Sequence, residues 1–271
     1  MNAFRKYFYY FRSIFTLLSG VKNWRVLLQI FLGKPFVGIK WLELRREDLK
    51  IGVGSKMEAW SVKETLIDRM YTKFGTEVAG NWTVVDIGAA IGEFTVDSAL
   101  KLTSGMVHAF EPNPGSLNIL RQNTRANYLH RVTTYNLGVW SEAGEIPLRF
   151  LNNEPLQAVS GAGNLKDDSF KETTIPVITL KEVVFEKVGG KIDLLKVDCE
   201  GAEYEILLGQ EKQVFEQIDR IIMEYHDLDE KRSHNRLVAY LNEQGYLVTL
   251  KENPVHADLG YLYAIRKGLA S

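Results

Sequence analysis

Trp82-Thr83-Val84-Val85-Asp86-Ile87-Gly88-Ala89-Ala90-Ile91-Gly92 decides the fold of this chain. A short β-branched run ends in an acid, a glycine-bearing turn follows, and a helix-like segment starts near Glu93. A second apolar run, Val107-His108-Ala109-Phe110, ends in Glu111, roughly twenty residues beyond the turn, where an acid is placed to grip ribose hydroxyls. Strand, glycine turn, helix, strand and terminal acid make one nucleotide-binding half of a doubly wound α/β fold. A dinucleotide fingerprint reads G-x-G-x-x-G, and its middle glycine lets backbone approach a pyrophosphate. Here Ala90 holds that place and the pattern is G-x-x-x-G. A cofactor with ribose and no phosphate fits better than a nicotinamide dinucleotide, and S-adenosylmethionine is the common one. The turn offers Asp86, Gly88, Ala89 and Gly92 as candidate cofactor contacts, with Glu111 on the ribose.

Outward from this turn the chain alternates. Strands are expected at Thr83 to Ile87, Met106 to Phe110, Val132 to Leu137, Asp193 to Val197, Arg220 to Glu224, Tyr246 to Leu250 and Gly260 to Arg266. Helices are expected at Gly92 to Leu102, Ser116 to Asn127, Leu180 to Val188, Ala202 to Leu208 and Glu230 to Gln244. That order predicts a Rossmann-like, doubly wound, mostly parallel seven-stranded sheet covered on both faces, with an N-terminal helical extension. Between the third and fourth strands lies an insertion, with a hairpin turn expected at Gly144-Glu145. A Gly/Ser-bearing loop from Ala158 to Asn164 is expected to shape an acceptor pocket and puts Ser160 against substrate. Ser61-Val62-Lys63-Glu64 reads as a capping box opening a helix to about Tyr71; Glu64 is either that cap or a substrate contact.

Composition sets limits. The 271 residues are 45% hydrophobic and 25% charged, enough for one sizeable core. A net charge of -1 gives no electrostatic case for nucleic acid. The single cysteine, Cys199, excludes an internal disulfide and a cysteine-based zinc site and reads as a small apolar filler facing away from its acidic neighbours. A cytoplasmic location, or one on the inner face of a membrane, is the matching expectation.

Residues 1–42 carry Arg5, Lys6, Arg12, Lys22, Arg25, Lys34 and Lys40 and no acid, interleaved with aromatic and aliphatic residues. Charge interrupts the apolar runs too often for a membrane-spanning helix. Two basic amphipathic helices, broken at Gly20 and at Gly33-Lys34-Pro35, are expected. They would lie on an anionic membrane surface, pack on the following domain, or form a homodimer interface. The expected division is residues 1–54 for this segment with a short hairpin (Phe36 to Arg45 with Leu49 to Val53) and residues 55–271 for the catalytic domain.

Ligands of such sheets bind beyond the carboxyl ends of the strands. Acids collect there: Asp86, Glu111, Asp198 and Glu200 with Glu203, and Glu224. Burying so many is unfavourable unless each has a partner, and a cationic sulfonium with its amino group would serve. For a methyl transfer to a hydroxyl, His226 is the first candidate base because its ordinary pKa of about 6.5 suits neutral pH. Glu200 and Glu224 are rivals, since burial raises a carboxylate's pKa. Asp198, Glu224 and Asp227 also read as a divalent-cation set, but the favoured reading includes no metal.

The stretches Asp86-Ile87-Gly88-Ala89-Ala90-Ile91-Gly92, Phe110-Glu111-Pro112-Asn113-Pro114, Asn136-Leu137-Gly138-Val139 and Asp193-Leu194-Leu195-Lys196-Val197-Asp198-Cys199-Glu200-Gly201-Ala202-Glu203 together resemble the FkbM family of class I S-adenosylmethionine-dependent methyltransferases. Trp60-Ser61-Val62-Lys63-Glu64 and Glu224-Tyr225-His226 are similar to it too. The likeness spans roughly residues 55–265, and the family usually carries Asn where Ala90 stands. It implies that Gly88 admits the methionine portion and that Glu111 binds both ribose hydroxyls. Pro112 and the Leu137-Gly138 turn would flank the adenine, and Asp198 would face the methionine amino group or the transferred methyl. The implied reaction is O-methylation of a sugar, glycan, lipid-linked or other hydroxyl-bearing acceptor. The alternative is a non-catalytic cofactor-binding scaffold or membrane adaptor with the same fold, for which Ala90 is the warrant.

Overall fold

A computed structural model describes residues 3–32, 38–151, 154–160, 170–253 and 256–270. Helices α1 (Ala3–Gly20) and α2 (Trp24–Leu32) precede an antiparallel hairpin of β1 (Lys40–Glu43) and β2 (Lys50–Val53). The break at Gly20 is where expected; Gly33-Lys34-Pro35 lies outside the described residues. Helix α3 (Lys56–Val62) runs on into a wider π-helical turn, Lys63–Ile67, and α4 (Met70–Phe74) comes after it. The N-cap of α3 is Ser55, whose side chain accepts the Glu58 N–H, while the Glu58 carboxylate accepts the Gly54 N–H. The expected cap at Ser61 is therefore corrected: Ser61 is inside the helix, and Glu64 is left unoccupied by capping.

The α/β alternation begins with β3 (Thr83–Ile87), α5 (Glu93–Lys101), β4 (Met106–Phe110), α6 (Pro114–Ala126) and β5 (Val132–Tyr135). An insertion contributes β6 (Gly138–Trp140), β7 (Gly144–Leu151), β8 (Glu154–Ser160) and β9 (Phe170–Thr179). After α7 (Leu180–Glu182), extended by a π-helical turn at Val183–Val188, come β10 (Leu194–Val197), α8 (Glu203–Leu207), α9 (Lys212–Glu216), β11 (Arg220–His226), α10 (His234–Glu243), β12 (Tyr246–Glu252) and β13 (Leu259–Arg266). The seven-stranded sheet has the order β12-β13-β11-β10-β3-β4-β5, and β13 alone runs opposite to the other six strands. The predicted sheet is thus present, and α9 is a helix that hydropathy did not signal.

The insertion is more than a hairpin. Strands β6, β9, β7 and β8 form a second sheet in that order. Gly144 starts β7, and β9 lies between β6 and β7, pairing with both through Val177. Gly144-Glu145 is therefore a strand start, not a turn. Of the expected Ala158 to Asn164 loop, residues 158–160 belong to β8, and residues 161–164 lie outside the described residues, as does the side chain of Ser160.

The N-terminal helices share a core with the hairpin, α3 and the start of the α/β unit. Leu17, Val21, Leu27 and Ile30 pack with Leu42, Ile51, Val53, Val62, Leu66, Ile91 and Ile119. Buried Asn123 of α6 fastens the hairpin to this layer: its side chain accepts the Gly52 N–H at 2.6 Å and donates to the Gly52 and Ile91 carbonyls at 3.1 and 2.8 Å. Satisfying three buried backbone groups with one amide explains an asparagine in an apolar layer.

Candidate functional site

The chain runs outward from β3 through β4 to β5, then returns to β10 on the other side of β3, so the order reverses beside β3 and a crevice opens beyond the strand ends. Ile87 pairs with Phe110 on one side and with Val197 on the other. The next residues of the three strands, Gly88, Glu111 and Asp198, consequently emerge together, and all three line the cleft. Pro112, Leu137, Gly138, Cys199, Glu200, Glu224 and Glu64 line it as well. Sequence reasoning missed its apolar wall: Trp140, Ile146, Leu148, Ile175 and Val177 of the second sheet. The period-two alternation of Ile146 with Leu148 and of Ile175 with Val177 was the available signal.

Glu111 is held by backbone. Its Oε2 accepts the Ala90 N–H at 2.8 Å and its Oε1 the Asn113 N–H at 2.8 Å. Burial pushes its pKa up to about 7, against the pull of those two N–H groups and of Lys196. Each oxygen retains a lone pair for one further donor.

The glycine turn is shaped by a close approach. A Cβ on Gly88 (φ +72°) would lie 1.9 Å from the Asp198 carbonyl oxygen, so glycine lets the ends of β3 and β10 meet. Ala90 sits at φ 47°, a left-handed conformation that disfavours a Cβ by roughly 1–2 kcal/mol. Its reward is the N–H aimed at Glu111. Ala90→Gly is expected to raise stability by about 1 kcal/mol in a denaturant titration; a destabilised variant would show that Ala90 is not strained.

Three candidates support the turn without lining the cleft. Asp86 is fully buried: Oδ2 accepts the Thr95 hydroxyl at 2.6 Å, and Oδ1 lies 3.0 Å from Lys196 Nζ. Ala89 packs with Ala109, Leu117 and Leu120. Gly92 caps α5 at φ 90°, where a Cβ would meet Leu120 at 2.7 Å. The contacts the structure shows for these three lie inside the fold. Lys196, in the middle of a fully buried strand, ties the group together: Nζ donates to the Gly88 carbonyl at 2.7 Å and lies 3.7 Å from Asp198 Oδ2. Burial opposes its charge, but Asp86 and Asp198 outweigh it and hold the ammonium protonated. Tyr71 completes the Asp198 shell, its hydroxyl donating to Oδ2 at 2.6 Å.

At the other end of the cleft Glu64, Asp198, Glu200 and Glu224 converge. Burial drives Glu224 well above the usual carboxylate range, the Asp198 charge adds to this, and His226 opposes it. Burial likewise raises Glu64, which is hydrogen-bonded by Trp60 and, at 3.3 Å, by the Tyr9 hydroxyl from α1. His226 does not line the cleft. Its Nδ1 lies 3.1 Å from Oε1 of fully buried Glu203 and its Nε2 3.4 Å from Oε2 of Glu200. Burial disfavours charge on the ring, but Glu203 and then Glu200 prevail and raise its pKa to about 10. The near-neutral pKa that recommended His226 as a base is corrected: an imidazole with a carboxylate at each nitrogen stays protonated. Cys199 is corrected as well, since it lines the cleft, and burial first and then Glu203 keep its thiol protonated.

Asp227 turns away from Asp198 and Glu224, accepting the His234 N–H at 2.6 Å and sitting 2.6 Å from His234 Nδ1. Among the described residues no three His, Cys, Asp or Glu side chains are grouped to hold a metal ion.

Comparison with known proteins bears on this geometry. Residues 86–248 match the family model described as the methyltransferase FkbM domain. The chain is 28% identical to 31-O-demethyl-FK506 methyltransferase FkbM of Streptomyces tacrolimicus, covering 72% of this chain and 84% of that protein. It is 30% identical to methyltransferase sdnD of Sordaria araneosa (72% and 85%) and 26% identical to hexuronic acid methyltransferase AglP of Haloferax volcanii (79% and 84%).

Proposed function

This chain belongs to the FkbM-domain methyltransferase family, and from that premise we propose that it methylates a hydroxyl oxygen on an uncharged sugar, glycan or glycolipid. S-adenosylmethionine is the cofactor, supplying a methyl group on a positively charged sulfur. The donor set in the cleft fits it. Glu111 offers one free acceptor site on each oxygen to the ribose hydroxyls, Pro112, Leu137 and Gly138 offer apolar surface to the adenine, and Asp198 offers a negative charge to the methionine amino group. Asp86, Ala89 and Gly92 serve by holding the turn.

The observation that carries the acceptor class is the convergence of Glu64, Asp198, Glu200 and Glu224 in the same cleft, with no Lys or Arg among its described lining residues. Carboxylates orient hydroxyls by accepting their hydrogen bonds, whereas an anionic acceptor would find no counter-charge. In this reading Glu224 takes the hydroxyl proton as the oxygen attacks, and burial favours the protonated acid that results. Glu64 and Glu200 orient the acceptor, and the protonated His226 positions Glu200. Two of the relatives have names that specify acceptors, 31-O-demethyl-FK506 and a hexuronic acid; the first supports oxygen as the atom methylated.

The test is mass spectrometry of a glycan and lipid extract incubated with the protein and isotopically labelled S-adenosylmethionine. Label on hydroxyl oxygen of uncharged glycans is expected. Glu224→Gln should lower kcat by roughly 10²–10⁴-fold, the usual contribution of a general base, with S-adenosylhomocysteine affinity unchanged. Label found only on carboxylates would overturn the acceptor class. Cofactor binding without any transfer would return the reading to a scaffold.

A further inference from the structure

Helices α1 and α2 turn Leu17, Val21, Leu27 and Ile30 to the shared core, yet their outer sides are apolar too. On α1, Phe11 (60% exposed), Ile14 and Phe15 (57% exposed) form a stripe at helical spacing, with the Phe11 and Phe15 rings 4.9 Å apart. On α2, Trp24, Leu28 and Leu32 (80% exposed) repeat every fourth residue. A surface helix normally shows one apolar face, and contiguous exposed apolar stripes mark an interaction surface. The charge that the two helices themselves carry has one sign. Arg12 and Arg25 are exposed, Arg25 lying over the Trp24 ring at 5.7 Å, and residues 1–42 contain no Asp or Glu.

We infer that the outer face of α1 and α2 docks on an anionic membrane surface. The charge pattern selects this occupant. In a symmetric dimer the same patch meets itself, which would set Arg12 and Arg25 against their own copies with no acid from the segment to pair them. An anionic leaflet instead attracts each basic residue while the aromatic and aliphatic side chains enter the headgroup boundary. No described helix is long and apolar enough to cross a membrane, so the contact is with one leaflet. Helix α1 also contacts a residue that lines the cleft. The Tyr9 hydroxyl donates to Glu64, and the ammonium of buried Lys63 lies 4.9 Å from the Tyr9 ring and 4.8 Å from that of Trp60. Docking on that outer side, across the helix from Tyr9, places one helix diameter, roughly 10 Å, between the bilayer and Glu64.

The test is co-sedimentation of the full chain with vesicles of phosphatidylglycerol and phosphatidylcholine, and with phosphatidylcholine alone. Binding to the mixed vesicles is expected, with weakening as salt rises from about 0.1 M to about 1 M and the Debye length falls from about 10 Å to about 3 Å. Each surface arginine contributes about five-fold to partitioning, so Arg12→Gln/Arg25→Gln should reduce it by about 25-fold. Phe11→Ser/Ile14→Ser/Phe15→Ser should reduce it at least ten-fold. All five positions are exposed on the outer side of the helices, so circular dichroism and S-adenosylhomocysteine binding should not change. Failure of the wild type to bind the mixed vesicles at low salt overturns the inference, as does equal binding to phosphatidylcholine alone. A concentration-dependent dimer lost in the triple variant, with no vesicle binding, would assign the face to self-association instead.

Discussion

Glu111→Ala is expected to weaken S-adenosylhomocysteine binding by roughly 10²–10⁴-fold, from two charge-assisted hydrogen bonds of about 1.5–3 kcal/mol each. The carboxylate is already oriented by the Ala90 and Asn113 N–H groups, so binding spends little on ordering it, and nothing else among the cleft-lining residues replaces an acceptor at the end of β4. The pKa near 7 gives this effect a pH signature. In the ligand-free protein the fold favours the neutral acid. That contribution to stability is complete below about 4.5, the group's ordinary value, and is lost as pH rises through about 7. Under the proposed function ligand binding runs the other way, with two ribose hydroxyls donating to the ionised form. With a pKa of about 7, affinity should rise about ten-fold from about pH 6 to about pH 8. Glu111→Gln keeps the shape and should lose both affinity and this slope. Calorimetry at the two pH values measures all of it; an affinity for Glu111→Ala within about threefold of wild type would remove Glu111 from the ribose site.

How much of this was legible in the sequence depended on distance along the chain. The β3-turn-α5-β4 unit and the acid at its end are local, and they stand where the pattern put them. The parallel sheet followed from alternating periods. Side-chain direction at a strand end was not legible. Asp86 and Asp198 both close apolar runs, but Asp86 is still inside the sheet, opposite Lys196 in register, whereas Asp198 is one residue past it. Ser55-Lys56-Met57-Glu58 and Ser61-Val62-Lys63-Glu64 are equally good cap signatures; packing of Ala59 and Val62 on the core chooses the first. The second sheet was missed because β9 enters from beyond β8 to lie between β6 and β7, a pairing no local pattern encodes. The raised pKa of His226 was not legible because Glu203, far away in sequence, supplies the carboxylate that raises it.

That pair carries the second large effect. Oε1 of Glu203 accepts the N–H groups of Cys199 (3.0 Å) and Gly201 (3.2 Å) as well as facing His226, so it fastens the loop that presents Asp198 and Glu200 to the cleft. Removing the imidazolium leaves a fully buried carboxylate short of its counter-charge, and breaking a buried pair from one side destabilises by about 3–5 kcal/mol. His226→Ala should therefore lower Tm by roughly 10 °C, at about 2–4 °C per kcal/mol for a chain of this size. The pH dependence is set by a folded pKa of about 10 against an ordinary value of 6.5. Stabilisation by His226 is complete below about pH 6.5 and is lost as pH rises through about 10. His226→Gln keeps one donor and should abolish that alkaline slope while recovering part of the lost Tm. The His226→Ala/Glu203→Gln double variant should be less destabilised than the sum of its parts, since the uncompensated charge is gone. A general base with an ordinary pKa would behave differently. It would place a limb near pH 6.5 in the kcat profile, and its replacement would erase activity without moving Tm. Finding that limb in the wild type, with an unchanged Tm in His226→Ala, would restore His226 as the base and displace Glu224.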